Sequence, residues 1–324
     1  MHIVVGTAAT LAWSSTDLGE TWTRLTRGLY PQMPIWAISS HPRRPDEFLA
    51  GTDEGIYRWR GHELGWVALH SDFSDTPVWA VAHSPHDPDL LIAGTRKPAS
   101  LFRSKDGGRS WEWLPARMAQ RCRYVNYPRV TRIIFDPDDP LAVWASVEID
   151  GVWHSRDGGD TWQRLVNGLK SHDIHGITLV PGSKRVMVAT DEGLHCSDDE
   201  GETWRSVPLD SPAAYTRSIN AVAGVPGLLF ATNGDGPPGS WGRLFRSADH
   251  GDSWSEVELP VRANSTVWKV APHPGDPQIL FACTAYGQVM RSLDGGATWT
   301  KLEREFGDIR SLEWVHMAPN SDPA

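Results

Sequence analysis

The sequence predicts an all-β fold, a single seven-bladed β-propeller of four-stranded blades occupying 1–324, and three observations predict it. The pattern Ser-x-Asp-x-Gly-x-[Ser/Thr]-Trp recurs at 15–22, 104–111, 155–162, 197–204, 247–254 and 292–299. The one double-length gap, between the copies at 15 and 104, holds a degenerate seventh copy running from Gly55-Ile-Tyr-Arg-Trp59 to Gly65-Trp66. A repeat of roughly 46 residues is the size of a four-stranded propeller blade. Third, an apolar tetrad aligns once per repeat, as in Val78-Trp-Ala-Val81, Ile174-His-Gly-Ile177 and Val267-Trp-Lys-Val270, aliphatic at its first and fourth positions. A blade's inner strand is packed on both faces, which accounts for that pattern.

Each element follows in order. His2-Ile-Val-Val-Gly6 matches Leu49-Ala-Gly-Thr52 and Leu91-Ile-Ala-Gly-Thr95, which are second strands, so the first blade begins one strand short. Its missing inner strand stands at the other end, Ile309-Arg-Ser-Leu-Glu-Trp-Val315. The C-terminal strand is therefore expected to pair with the N-terminal three and close the ring, removing two sheet edges. Within the repeated turn, the Asp and the Ser or Thr tie local backbone, the Gly supplies a conformation other residues avoid, and the Trp packs between sheets.

These boxes resemble those of the Asp-box (BNR) repeat superfamily over the whole chain. Its relatives include sialidases, glucan hydrolases, sorting-receptor propellers and a photosystem II assembly-factor propeller. The resemblance implies the fold, while the chemistry is left to the site, because the same boxes occur in enzymes and in binding proteins. Sialidases of this kind use an arginine triad, a Tyr–Glu pair and an Asp. Tyr127-Pro-Arg-Val130 does not reproduce their Arg-Ile-Pro motif, so their residues are not carried over.

Composition narrows the classes. The 30 Gly, 24 Pro and 17 Trp suit an all-β repeat protein, and a net charge of −9 argues against nucleic-acid binding. Cys122, Cys196 and Cys283 lack metal or disulfide spacing. A strand starts directly after Met1 and no apolar run reaches membrane length, so a cytoplasmic protein without membrane contact is expected. No nucleophile elbow, phosphate loop or dinucleotide fingerprint occurs.

The candidate site is the channel mouth, on the face opposite the boxes, where the longer loops gather. The second tetrad position reads Trp36, Trp79, Thr131, His175, Asn220, Trp268 and Arg310, and the usually small third position is broken by Arg132 and Lys269. Such departures from a repeat mark functional positions. The 116–129 insertion adds Arg117, Arg121, Arg123, Tyr124, Tyr127 and Arg129, beside Arg96 and Lys97, a set suited to an anion. Glu148, His175 and Arg132 are the catalytic candidates, with Glu148 as a proton-transfer group. Trp36, Trp79, Asn220, Trp268, Lys269, Arg310, Tyr127 and Arg96 are the substrate-binding candidates. His172 and His175 are the candidates for a divalent metal at the mouth, needing further ligands from other blades. His154 and His195, on third strands, read as structural. The expected function is a hydrolase or lyase acting on a small anionic, sugar or aromatic substrate. The alternative is a non-catalytic interaction or assembly propeller that binds a protein through its arginine-rich face.

Overall fold

The computed structural model describes residues 1–122 and 126–317; Arg123 and Tyr124 lie outside the described residues. Seven four-stranded antiparallel sheets form the blades. Their inner strands are Ile309–Val315, Ala37–Ser40, Val78–His83, Val130–Phe135, Ile174–Leu179, Thr216–Ala221 and Val267–Pro272, for blades 1 to 7 in turn. Blade 1 is completed from both chain ends, Ile309–Val315 pairing with His2–Thr7 in the register Val5 to Leu312. The closure expected from the sequence is the closure seen.

The core lies between blades. Ile3, Val5, Phe281, Leu302, Leu312 and Trp314, from blades 1 and 7, form one apolar cluster, and comparable clusters fill the other junctions. Each repeated turn is an internally bonded staple. In the first, Ser15 Oγ donates to Asp17 at 2.8 Å and accepts from the Gly19 N–H at 2.7 Å. Asp17 also accepts from the Thr21 N–H and hydroxyl at 2.9 and 2.6 Å. Gly19 has φ +91°, and a Cβ there would strike Leu302 and Phe281 of blade 7. Blade 2 lacks the staple and carries a single helical turn, Gly61–Leu64, in its place.

Arginines tie blades 2, 3, 5 and 7 forward to the staple of the next. Arg103 of blade 3 donates to the Gly158 carbonyl at 2.6 Å and pairs with Asp160 at 2.6 Å, both in blade 4's staple. Arg185 of blade 5 does the same to the His250 carbonyl and Asp252 of blade 6, and Arg291 of blade 7 to the Leu18 carbonyl and Glu20 of blade 1. Arg58 of blade 2 reaches the Gly107 carbonyl of blade 3.

The inner strands share one irregularity that builds the mouth. Register slips by one residue between Val78 and Ala80, Val130 and Arg132, Ile174 and Gly176, Thr216 and Ser218, and Val267 and Lys269. In blade 1 Gly6 pairs with Ser311 and Thr7 with Ile309, skipping Arg310. In blade 2 the Trp36 N–H bonds the same Gly51 that pairs with Ala37. Each inner strand thus begins with a bulge, a device that re-aims one side chain.

Candidate functional site

The bulged residues are Trp36, Trp79, Thr131, His175, Arg217, Trp268 and Arg310, and all seven line a central cavity of about 460 Å³. Arg217, and not Asn220, holds the blade 6 position. Asn220 lies three residues further along the strand, its amide oriented to the carbonyls of Val270 and Ile219 at 3.3 and 3.2 Å, where it ties blade 6 to blade 7. Ala37, Arg132, Gly176, Ser218, Lys269 and Ser311 line the next layer down, and the cavity continues to Pro42 and Pro274 on the staple face.

Around the mouth, aromatic faces and cations alternate. Trp36 and Trp79 stack at 4.1 Å and 11°, with the Trp36 Nε1 donating to Asp53 at 2.8 Å. Arg129 lies 4.1 Å above the other face of Trp79, with Arg96 at 5.8 Å. Across the channel Trp268 carries Arg217 at 4.0 Å and Arg310 at 5.2 Å, and Arg310 is also 5.9 Å from Trp36. The tryptophans line the cavity and do not close it. Lys97 sits 5.2 Å from the Tyr127 ring, so that tyrosine and the cations of blade 3 share one rim.

A polar arc completes the belt. Arg129 pairs with Glu148 at 2.6 Å. Burial raises the Glu148 carboxyl above its ordinary value against the opposing pull of Arg129, and Asp173 adds to the rise. Burial likewise lowers the Arg129 guanidinium to about 10, with Glu148 opposing. His175 donates through Nδ1 to the Thr216 carbonyl at 2.7 Å and presents Nε2 to Asp173 at 3.4 Å. His175 and Asp173 thus face each other beside Glu148. Tyr215 packs on the His175 ring at 4.7 Å.

Below the mouth, Lys269 is partly buried and paired with Glu313, and desolvation lowers its ammonium despite that partner. Among the described residues the Arg132 and Arg217 guanidiniums have no carboxylate partner. Arg310 pairs with Asp308. Buried polar atoms without partners also gather here, including Trp79 Nε1, Arg129 Nε, Glu148 Oε2, Asp308 Oδ1 and Arg310 Nε. Leaving such atoms unmet costs free energy, and functional sites are where that cost is tolerated.

His172 does not join His175. Its Nδ1 faces Arg164 at 3.2 Å, while His175 Nδ1 is taken by the Thr216 carbonyl, and the described residues contain no group of three or more His, Cys, Asp or Glu side chains placed to hold a metal. The sequence reading passed over Arg217, Tyr215 and Asp173 as site residues. The signal for Arg217 was present: Thr216-Arg-Ser-Ile219 fits the repeated tetrad once a buried Thr is accepted at its first position.

No protein-family model matches the chain. It is similar, at 28% identity over 194 residues, to an oligoxyloglucan-reducing end-specific xyloglucanase of Emericella nidulans, covering 54% of this chain and 24% of that protein. It is 26% identical over 242 residues to a xyloglucanase of a Paenibacillus species, covering 63% and 23%. The chain therefore spans about a quarter of the length of these curated relatives. Among solved structures it is similar to the GH74 enzyme of Niastella koreensis, with a TM-score of 0.67 at 19% identity, covering 82% of this chain and 45% of that one. It is also similar to YCF48 bound to D1 peptide, with a TM-score of 0.59 at 16% identity, covering 83% and 81%. At these identities the structural likeness establishes the fold, a seven-bladed propeller shared by glycoside hydrolases and a peptide-binding protein.

Proposed function

We propose that the chain is a propeller of the Asp-box kind, a glycosidase-like hydrolase that takes an acidic glycoside at the channel mouth. The observation that carries this reading is the belt itself. Flat indole faces suit a sugar ring, and Arg217 and Arg132, without carboxylate partners, suit a carboxylate on it. The xyloglucanase likeness supports a carbohydrate ligand. In the reaction, Glu148 gives its proton to the departing glycosidic oxygen as that C–O bond breaks. Water adds to the sugar carbon, and its proton passes by way of the Asp173–His175 pair back to Glu148.

The test uses para-nitrophenyl glycosides with and without a ring carboxylate. Release of nitrophenol from the acidic series, with Arg217→Ala weakening its binding about ten- to a hundred-fold, is the expected result, since a hydrogen bond to a charged group is worth roughly 1.5–3 kcal/mol. Turnover of none of them would overturn the enzymatic reading. A second reading is favoured by the similarity to YCF48 bound to D1 peptide, where the two chains cover each other almost equally. In that case the same face binds a protein without chemistry, and peptide capture abolished by Arg217→Ala would be the result.

A further inference from the structure

The clasp from blade 4 differs in origin: it comes from Arg156 of its own staple, which pairs with Glu200 of blade 5 at 3.5 Å. In blades 3 and 7 the residue just before the staple serine is an arginine, Arg103 or Arg291, and it grips the next blade's staple. In blade 4 that residue is His154. Its ring stacks on Trp144 at 3.7 Å and 11°, and it is only 5% exposed. The Nε2 of His154 has no hydrogen-bond partner among the described residues. Where the side chain is shorter than arginine, a cavity of about 310 Å³ opens between blades 4 and 5 on the staple face.

Its wall carries both signs, Asp136, Asp138, Asp139 and Glu200 against Arg156, Lys184 and Arg185. Arg185 is engaged by Asp198 and Asp252, and Arg156 and Lys184 by Glu200. Asp136 and Asp139 accept only from backbone N–H groups of their own turn, Asp138 and Asp139 to the former and Leu141 to the latter. Burial, with Arg156 adding, lowers His154 to about 4, while Glu200 and Asp139 pull the other way. A neutral imidazole has one nitrogen free to accept a proton donor.

We propose that this cavity is a receptor for a guanidinium group presented from outside, bound beside the position that an arginine of the chain fills in blades 3 and 7. The planar fork would lie edge to edge with the His154 ring, donate to His154 Nε2 and meet the Asp136 and Asp139 carboxylates. The site is on the opposite face from the channel mouth and is independent of the reading given to that mouth.

Agmatine and a capped Gly-Arg-Gly tripeptide are titrated into the full chain, with butylamine as the control, while the His154 imidazole signals are followed by NMR. Movement of those signals by the guanidines and not by butylamine is expected. Binding of both would assign the site to the guanidinium alone, and binding of the tripeptide only would assign it to an arginine on a protein partner. In His154→Arg the chain supplies its own guanidinium, so binding is lost and Tm rises. Should that variant fail to fold, Asp139→Asn, which keeps the turn bond, is expected to weaken agmatine about two- to five-fold. Equal response to butylamine, unmoved His154 signals, or agmatine affinity unchanged in both variants would overturn the proposal.

Discussion

Glu148 shows how one side chain acquires chemistry from its surroundings. Carboxyls in water ionise near pH 4, but burial raises this one, and Arg129 at 2.6 Å keeps it in place without offsetting that rise. An acid with a raised pKa is competent while protonated. Hydrolysis is therefore expected to be fullest on the acid side and to be lost as pH climbs through the raised value. Glu148→Gln should remove this alkaline limb together with about a hundred- to ten-thousand-fold of the rate, measured as kcat against pH. An alkaline limb that persists in the variant would assign it to another group. Arg129 would keep a neutral hydrogen-bond partner in that variant, so the fold is expected to survive.

The repeated turn sets stability at the scale of the element. The Thr298 hydroxyl, then its N–H and the Ser292 hydroxyl, hold the Asp294 carboxyl down to about 2, and Ser253 leads the same effect at Asp249, also to about 2. A folded value below the unfolded one means that the stabilisation is present above about pH 4 and is lost as pH falls toward 2. Acid unfolding followed by circular dichroism should therefore begin in that window. Asp294→Asn is expected to lower Tm at neutral pH and to flatten the change across the window. The staples were legible in the sequence because their bonds run between residues two to four apart. The inner-strand bulges were less so. Thr216 reads as polar, yet its hydroxyl donates to the Thr190 carbonyl and accepts the Thr190 N–H, both at 2.9 Å, so it behaves as a buried residue. Without those cross-blade bonds in view, the aliphatic pattern selected Ile219 and placed Asn220 where Arg217 stands. Asp173 meets Arg129 and Glu148 only because blades 4 and 5 curve around one axis, which local pattern does not encode.

At the scale of the molecule, the ring is held shut by the pairing of Ile309–Val315 with His2–Thr7. Residues of both strands belong to the apolar cluster shared with blade 7, so closure is also burial. Deleting 309–317 would leave the edge of His2–Thr7 unpaired and the Phe281 face uncovered. The truncated chain is expected to form oligomers by light scattering and to regain the monomer when the 309–317 peptide is added. A truncated chain that remains monomeric with unchanged Tm would show that closure contributes little.

The arginine clasps carry one more consequence. At five of the seven junctions an arginine of one blade reaches forward to the staple of the next. Each junction is thus a heterologous, head-to-tail contact, the kind that builds open filaments when its rotation does not close. Here seven copies complete one turn, and the last clasp, Arg291 onto Glu20, joins the tail of the chain to its head. The protein is a short polymer whose growth is terminated by its own first subunit.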